Sequence, residues 1–281
     1  MLVVQAILLL AGWVGPVETT PARRAGQDGP DLRTIQEVRI EVDGASIRAL
    51  CTDGARSVLL MHGTDQNADG WLPVLQRLDR STGACAYDRR GSGGSTPAPG
   101  ERGWYELVDE LRRIHLALGF ERDYVLVGHA VGGLYARVYA ADRPHVGALL
   151  LVEPAHEDML ARVRAGLPEE QWESWRQSRE AVNDDGVSEA DIGRRARRSR
   201  LPPIPVTVLT ATQRPGLDER SARFITDAAR QVHASILEGV TAGRHVPASR
   251  SGQDVHLEQP DLVAEEIFRL VRITSQRRLG T

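Results

Sequence analysis

The stretch from Val125 to Tyr135, VLVGHAVGGLY, constrains the fold of this chain more than any other segment. Val125 to Val127 look like the end of a buried strand, Gly128, Gly132 and Gly133 punctuate the residues after it, and a helical pattern begins at Leu134. Glycine needs no space for a Cβ, so this spacing predicts a strand that reverses through a very tight turn into a helix. A turn of this kind can hold a reactive side chain under strain, most often a serine. The residue at its apex here is Ala130, whose methyl group cannot attack anything.

The segments around this turn predict the sheet that holds it. IQEVRIEV and SIRALC alternate with period two about Asp43-Gly44, the signature of a hairpin. RSVLLMH, GACAYD, DYVLVGH, VGALLLVE and IPVTVLTA are short apolar runs of the kind buried on both faces of a parallel sheet. Helical stretches such as Trp104 to Leu118 and Leu134 to Ala141 separate them. An antiparallel start followed by β-α repeats predicts an open, mostly parallel α/β sheet with its chemistry on loops at the carboxyl ends of the strands.

One segment, residues 155–203, departs from that rhythm. It contains HEDMLARVRAG, PEEQWESWRQSREAV and SEADIGRRARRSR, polar helical patterns with no strand among them. Its position after a strand end predicts a helical cap over the site. Trp172 and Trp175 lie three residues apart and are candidates for facing the pocket, although packing of the cap onto the main body is the preferred explanation of the pair. The arginines at 194–200 read as a solvated helix face.

The N-terminal run MLVVQAILLLAGWVGPVETTPA suits the apolar region of a signal peptide better than a membrane span, being short and interrupted by Gln5, Gly12 and Gly15. Residues 1–30 are therefore expected to be a signal peptide or N-terminal anchor plus linker. Residues 31–154 and 204–281 are expected to form the core, and 155–203 the cap. The protein is expected to be exported or membrane-anchored, with any membrane association through the N-terminus alone. A formal charge of −3 and a pI near 6.3 give no general attraction to nucleic acid.

MHG at 61–63, CAYDRRGSGGS at 85–95, GHAVGG at 128–133, LLVEPAHED at 150–158 and SGQDVHLEQP at 251–260 resemble, in order and spacing, the motifs of the α/β-hydrolase superfamily. The likeness is greatest to exported bacterial members with a GHSxGG turn, and it covers residues 34–275. It implies an eight-stranded, mostly parallel sheet with helices on both faces and the cap inserted after strand 6. It also implies a nucleophile at position 130, a histidine base at 253 and an acid at Glu153. This chain has Ala130 and Gln253 at the first two of these, and VTVLTATQRPG offers no acid at the place where another branch of the superfamily keeps one.

A glutamine amide neither accepts nor releases a proton near neutral pH, so serine-esterase chemistry is not expected. The oxyanion hole of the resembled fold consists of backbone N–H groups, here assigned to Val131 and to Thr64 or its neighbour, and does not need the lost side chains. Glu153 is expected at the bottom of the pocket, its carboxyl raised by desolvation or partly held by the Gln253 amide. Ala130→Ser combined with Gln253→His is expected to return ester cleavage if Glu153 still orients the new histidine.

His62, His129 and His156 are placed about the pocket, His156 as the spare proton carrier, while His256 is read as a packing residue at a helix entry. No metal-ligand spacing or phosphate loop is recognised, and no cofactor is expected. The two cysteines outside the leader, Cys51 and Cys85, fall on the second and fourth strands, which the superfamily's strand order makes neighbours. The resemblance thus supports a disulfide between them, with two buried thiols as the alternative. The ligand class is a small apolar or carbonyl-containing molecule. The expected function is a degenerate hydrolase pocket that catalyses a non-hydrolytic reaction (cyclisation, dehydration or proton transfer), with a small-molecule-binding protein, or a serine esterase or lactonase carrying inactivating changes, as the alternatives.

Overall fold

The computed structural model describes residues 34–279, so the expected leader and linker lie outside the described residues. The chain opens with the hairpin of β1 (Ile35–Val42) and β2 (Ala45–Thr52). Asp43 and Gly44 turn it with φ of 50° and 73°, the left-handed pair that a two-residue hairpin turn demands. β3 (Ala55–Met61), α1 (Leu72–Leu75), β4 (Thr82–Tyr87), α2 (Trp104–Ala117), β5 (Tyr124–His129), α3 (Val131–Asp142) and β6 (Val146–Val152) follow. Then come α4 (Met159–Val163), α5 (Glu169–Glu180) and α6 (Glu189–Ala196), with one isolated bridge between Val182 and Ser188. β7 (Val206–Ala211), α7 (Glu219–Ser235), β8 (Gly243–Ala248), α8 (Val255–Glu258) and α9 (Pro260–Leu279) complete the order.

The eight strands form one sheet in the order β1-β2-β4-β3-β5-β6-β7-β8, antiparallel across β1-β2 and β2-β4 and parallel elsewhere. β4 to β7 are buried along their whole length, which is why their sequences are continuous apolar runs. Alternate residues feed two cores. Leu59, Leu126, Leu149 and Leu151 pack with α2 and α3 on one face, while Leu60, Val127, Leu150 and Leu209 pack with α1 and α9 on the other. The sequence pattern missed β8, an edge strand that carries Pro247 and is only partly buried.

Cys51 and Cys85 are register partners across β2 and β4, with Cα atoms 4.2 Å apart, and they form a disulfide. It closes a loop of sequence separation 34 and is buried at 3% and 0% exposure. No helix among the described residues is long and apolar enough to cross a membrane. Replacing both cysteines with alanine is expected to lower stability by about 2–4 kcal/mol, because the unfolded chain regains loop entropy. Equal urea midpoints for the two proteins would refute that contribution.

Candidate active site

The turn between β5 and α3 has the strain its sequence implied. Ala130 adopts φ 48° and ψ −120°, a conformation that costs a non-glycine residue of order 1–3 kcal/mol. Neighbouring strands keep it there: the Ala130 N–H donates to the Val152 carbonyl at 3.1 Å, and its own carbonyl accepts from Ala155 N–H at 2.9 Å. Gly132 shows why no other residue fits, since a Cβ there would lie 2.3 Å from the His62 carbonyl oxygen.

A cavity of about 490 Å³ opens above this turn. Ala130, Val131, Thr64, Glu153, Gln253, His129, His156 and Trp175 all line it, bringing together most of the residues singled out in the sequence. Two do not take part. His62 is buried behind the wall, where its Nδ1 donates to the Gly63 carbonyl at 2.7 Å and its Nε2 accepts the Arg89 N–H at 3.3 Å. Trp172 turns away from the cavity, its ring under the Arg164 guanidinium at 5.1 Å, so of the two tryptophans only Trp175 reaches the cavity.

The expected pairing of Gln253 with Glu153 is corrected by the geometry. The Gln253 side chain is exposed, and the Glu153 carboxylate is held by other donors. Its Oε1 accepts from Arg214 Nη2 at 2.6 Å and its Oε2 from the Ala211 N–H at 2.7 Å. The ion pair is about nine-tenths buried on both sides. Burial pushes the Glu153 carboxyl up from its ordinary value, while the guanidinium and the amide oppose that shift and occupy both oxygens. Glu153 itself has a φ of 43°, a second strained residue at a strand end. Sequence reasoning missed Arg214 because it searched TATQRPG for an acid and passed over the cation standing there.

Arg89 was missed as well. Its Nη1 donates to the His62 carbonyl at 2.6 Å, its Nη2 to the Gly63 carbonyl at 3.1 Å, and its Nε lies 3.0 Å from both oxygens of Asp185. Arg89 and Asp185 are 1% and 2% exposed. In a trans peptide the carbonyl and the next N–H point in opposite directions. Fixing the Gly63 carbonyl on Arg89 and His62 therefore turns the Thr64 N–H the other way. The Val131 N–H, at the first position of α3, has no partner within its helix.

The histidines around the cavity are poor proton carriers. Burial holds His156 down to about 4, its Nδ1 already accepts the Asp158 N–H at 3.0 Å, and its Nε2 faces Ser235 Oγ at 3.4 Å. His233, also in the lining, donates from Nε2 to the Pro154 carbonyl at 2.8 Å and meets Thr210 Oγ1 at Nδ1, again at 2.8 Å. His129 lies between the Gln66 side chain and the Gln253 carbonyl, with the His256 ring tilted 44° against it and the centroids 4.3 Å apart. The fold thus brings His129 to Asp254 and His256, a pair too distant from it in sequence to read as one cluster. Higher in the cavity, Arg179 pairs with Glu189.

Two stability measurements test this description. Ala130→Gly relieves the strained φ and is expected to stabilise the protein by about 1 kcal/mol; a loss of stability would show that the Ala130 methyl makes compensating contacts. Arg214→Met strands a buried carboxylate and should cost about 3–5 kcal/mol. In that variant the folded-state pKa of Glu153 stands above its unfolded value. Between the two values the native state holds a proton that the unfolded chain has released, so stability falls as pH rises through the window. Urea melts should therefore show a larger deficit at pH 8 than at pH 5, and an equal deficit would refute the assignment.

Comparison with known proteins agrees with this architecture. An uncharacterized protein of Bacillus subtilis strain 168, YqjL, is 24% identical over 234 residues, spanning 81% of this chain and 88% of that protein. Monoacylglycerol lipase abhd6-B of Xenopus laevis is 32% identical over 104 residues, which cover 35% of this chain and only 30% of the lipase. Among solved structures, a thermophilic esterase from Thermogutta terrifontis with malate bound aligns with a TM-score of 0.60 at 20% identity, over 85% of this chain and 99% of that one. The model of the alpha/beta hydrolase fold family matches residues 56–233, and the chain belongs to that family.

Proposed function

We propose that this chain is a hydrolase-fold pseudoenzyme that retains a small carbonyl- or carboxylate-bearing molecule in its cavity. The observation that carries the reading is the Arg214–Glu153 ion pair beside Ala130. In the family mechanism the acid steadies a histidine that activates a serine. Here the serine and histidine positions hold Ala130 and Gln253, and the acid is bound to a guanidinium. Three parts of one device are thus altered together, and the acid that would steady a base is already committed.

The remaining groups favour binding an oxygen. The Val131 and Thr64 amides supply donors, and the start of α3 adds the positive end of a helix dipole. Arg214 commits Nη2 to Glu153, while its buried Nε has no protein acceptor among the described residues. The pair is neutral as a whole, so a ligand carboxylate meets no net repulsion. Met159, Trp175, Leu217, Ile225 and Val232 give the cavity an apolar upper part for the rest of the molecule. A non-hydrolytic reaction, such as cyclisation, dehydration or proton transfer, is the second reading. The same oxyanion-type amides favour it, but Glu153 and His156 are committed elsewhere. Residues 155–203 serve as the cap in this proposal, and the disulfide supports a location outside the cytoplasm.

The test compares the chain with its restored variants. The unmodified protein is expected to hydrolyse no activated acetate ester and to gain thermal stability from apolar monocarboxylates. Ala130→Ser with Gln253→His should remain weak because Arg214 still holds Glu153. Adding Arg214→Ala should raise kcat/KM on the ester at least about tenfold over the double variant, since nucleophile, base and acid act as a unit. Ester turnover by the unmodified chain, or no stabilisation by any carboxylate or carbonyl compound tried, would overturn the proposal.

A further inference from the structure

The amide of Gln66 is oriented by two neighbours whose roles are fixed. The Gly63 N–H can only donate, and it meets Oε1 at 3.1 Å; the Asp254 carboxylate can only accept, and its Oδ1 meets Nε2 at 2.9 Å. Oε1 is therefore the atom that faces His129 Nδ1 at 2.9 Å, and Nδ1 carries the proton of that bond. A neutral imidazole has one N–H, so His129 Nε2 presents a lone pair. Facing it are the Gln253 carbonyl oxygen at 3.0 Å and Asp254 Oδ1 at 3.9 Å. The His256 ring lies alongside at a 44° tilt, is 1% exposed, and has an Nδ1 with no hydrogen-bond partner among the described residues. Electron-pair donors converge without a proton between them, on two imidazoles that are each 1% exposed, and this is costly unless a cation joins them.

We infer that His129, Asp254 and His256 form a site for one divalent metal ion of the zinc type, in the cavity floor beside Ala130. One ligand atom from each of the three lies within 4.8 Å of the others. Two imidazoles and a carboxylate form a ligand set that suits zinc, and the Gln253 carbonyl oxygen, 3.0 Å from His129 Nε2, is the nearest fourth donor. Ligands on a tetrahedral ion at about 2.0–2.1 Å stand roughly 3.4 Å from one another. The remaining closure falls to Asp254, whose side chain is 44% exposed and has room to rotate. Gln66 supplies the outer support that such sites use, accepting the second N–H of His129 and donating to Asp254.

The test uses the metal alone, so its failure leaves the carboxylate-binding proposal untouched. The full chain is stripped with chelator and titrated with Zn²⁺ by calorimetry at pH 7.5, and with Co²⁺ by visible absorption. The expected result is one equivalent bound with micromolar or tighter Kd and the intense d–d bands of a four-coordinate cobalt site. Affinity should weaken at least about thirtyfold in Asp254→Asn, a partly exposed change that spares the core, and in His256→Gln. Three results would overturn the site: no stoichiometric binding, binding that both variants retain, or a metal-free His129 that carries both ring protons by ¹⁵N NMR at the same pH.

Discussion

The close passage of backbone at the end of β5 is the constraint on which the rest of the site depends. α3 starts one residue after the strand stops, with its first turn pressed against the end of β3 and against Pro154 beyond β6. A Cβ at Gly128 would come within 2.5 Å of the Gly132 carbonyl oxygen, and one at Gly133 within 2.8 Å of the Pro154 side chain. The turn therefore has one path, and whichever residue stands at its apex must adopt positive φ. Ala130 accepts that strain without offering a nucleophile in return. The strain persists because the packing of two strands and a helix fixes it, and the turn and the start of α3 line the cavity through Ala130 and Val131.

A buried acid in the cavity wall creates an electrostatic problem that the fold must solve. A carboxylate at the end of β6, nine-tenths buried, is expensive unless paired. Arg214 supplies the pairing from the loop after β7, and the Ala211 amide satisfies the second oxygen. Under the pseudoenzyme proposal, Arg214 is the counter-charge that lets Glu153 stay buried without a base beside it.

Much of the fold was legible because burial on both faces leaves a direct mark on sequence. β3 to β7 are continuous apolar runs, and the positive-φ pair at Asp43-Gly44 follows from turn chemistry. β8 left no such mark, since an edge strand needs only part of its surface covered and tolerates Pro247. At the site, the turn was legible through its glycines, whereas the partners of its charges were not. Arg214 lies 61 residues from Glu153, and Arg89 lies 96 from Asp185. Neither spacing follows a helix or strand period. Arginine in a loop reads as solvated until the fold shows it buried. His62 and Trp172 erred the other way, because proximity in sequence to a motif says nothing about which side of a strand or helix a ring occupies.

Arg89 links the floor of the cavity to the helices inserted above it. The same guanidinium that turns the Gly63 carbonyl, and with it the Thr64 amide, is anchored on Asp185 in the turn before α6. Tyr135 on α3 adds its hydroxyl to Asp185 at 3.2 Å and receives the Asn183 amide at 2.8 Å. This end of the insertion is therefore fixed by a buried charge pair whose loss would leave an ion without water. The opposite end is held by a second buried pair, in which Arg137 Nη1 and Nη2 donate to the Glu157 carboxylate at 2.8 and 3.1 Å, and by a small apolar cluster of Val163, Ile225 and Ala228 with Met159, Trp175 and Phe224 partly covered. The segment between β6 and β7 is thus pinned by guanidinium geometry at both ends, one setting the direction of an amide in the floor and the other holding the stretch that carries Met159 and Trp175 into the cavity lining.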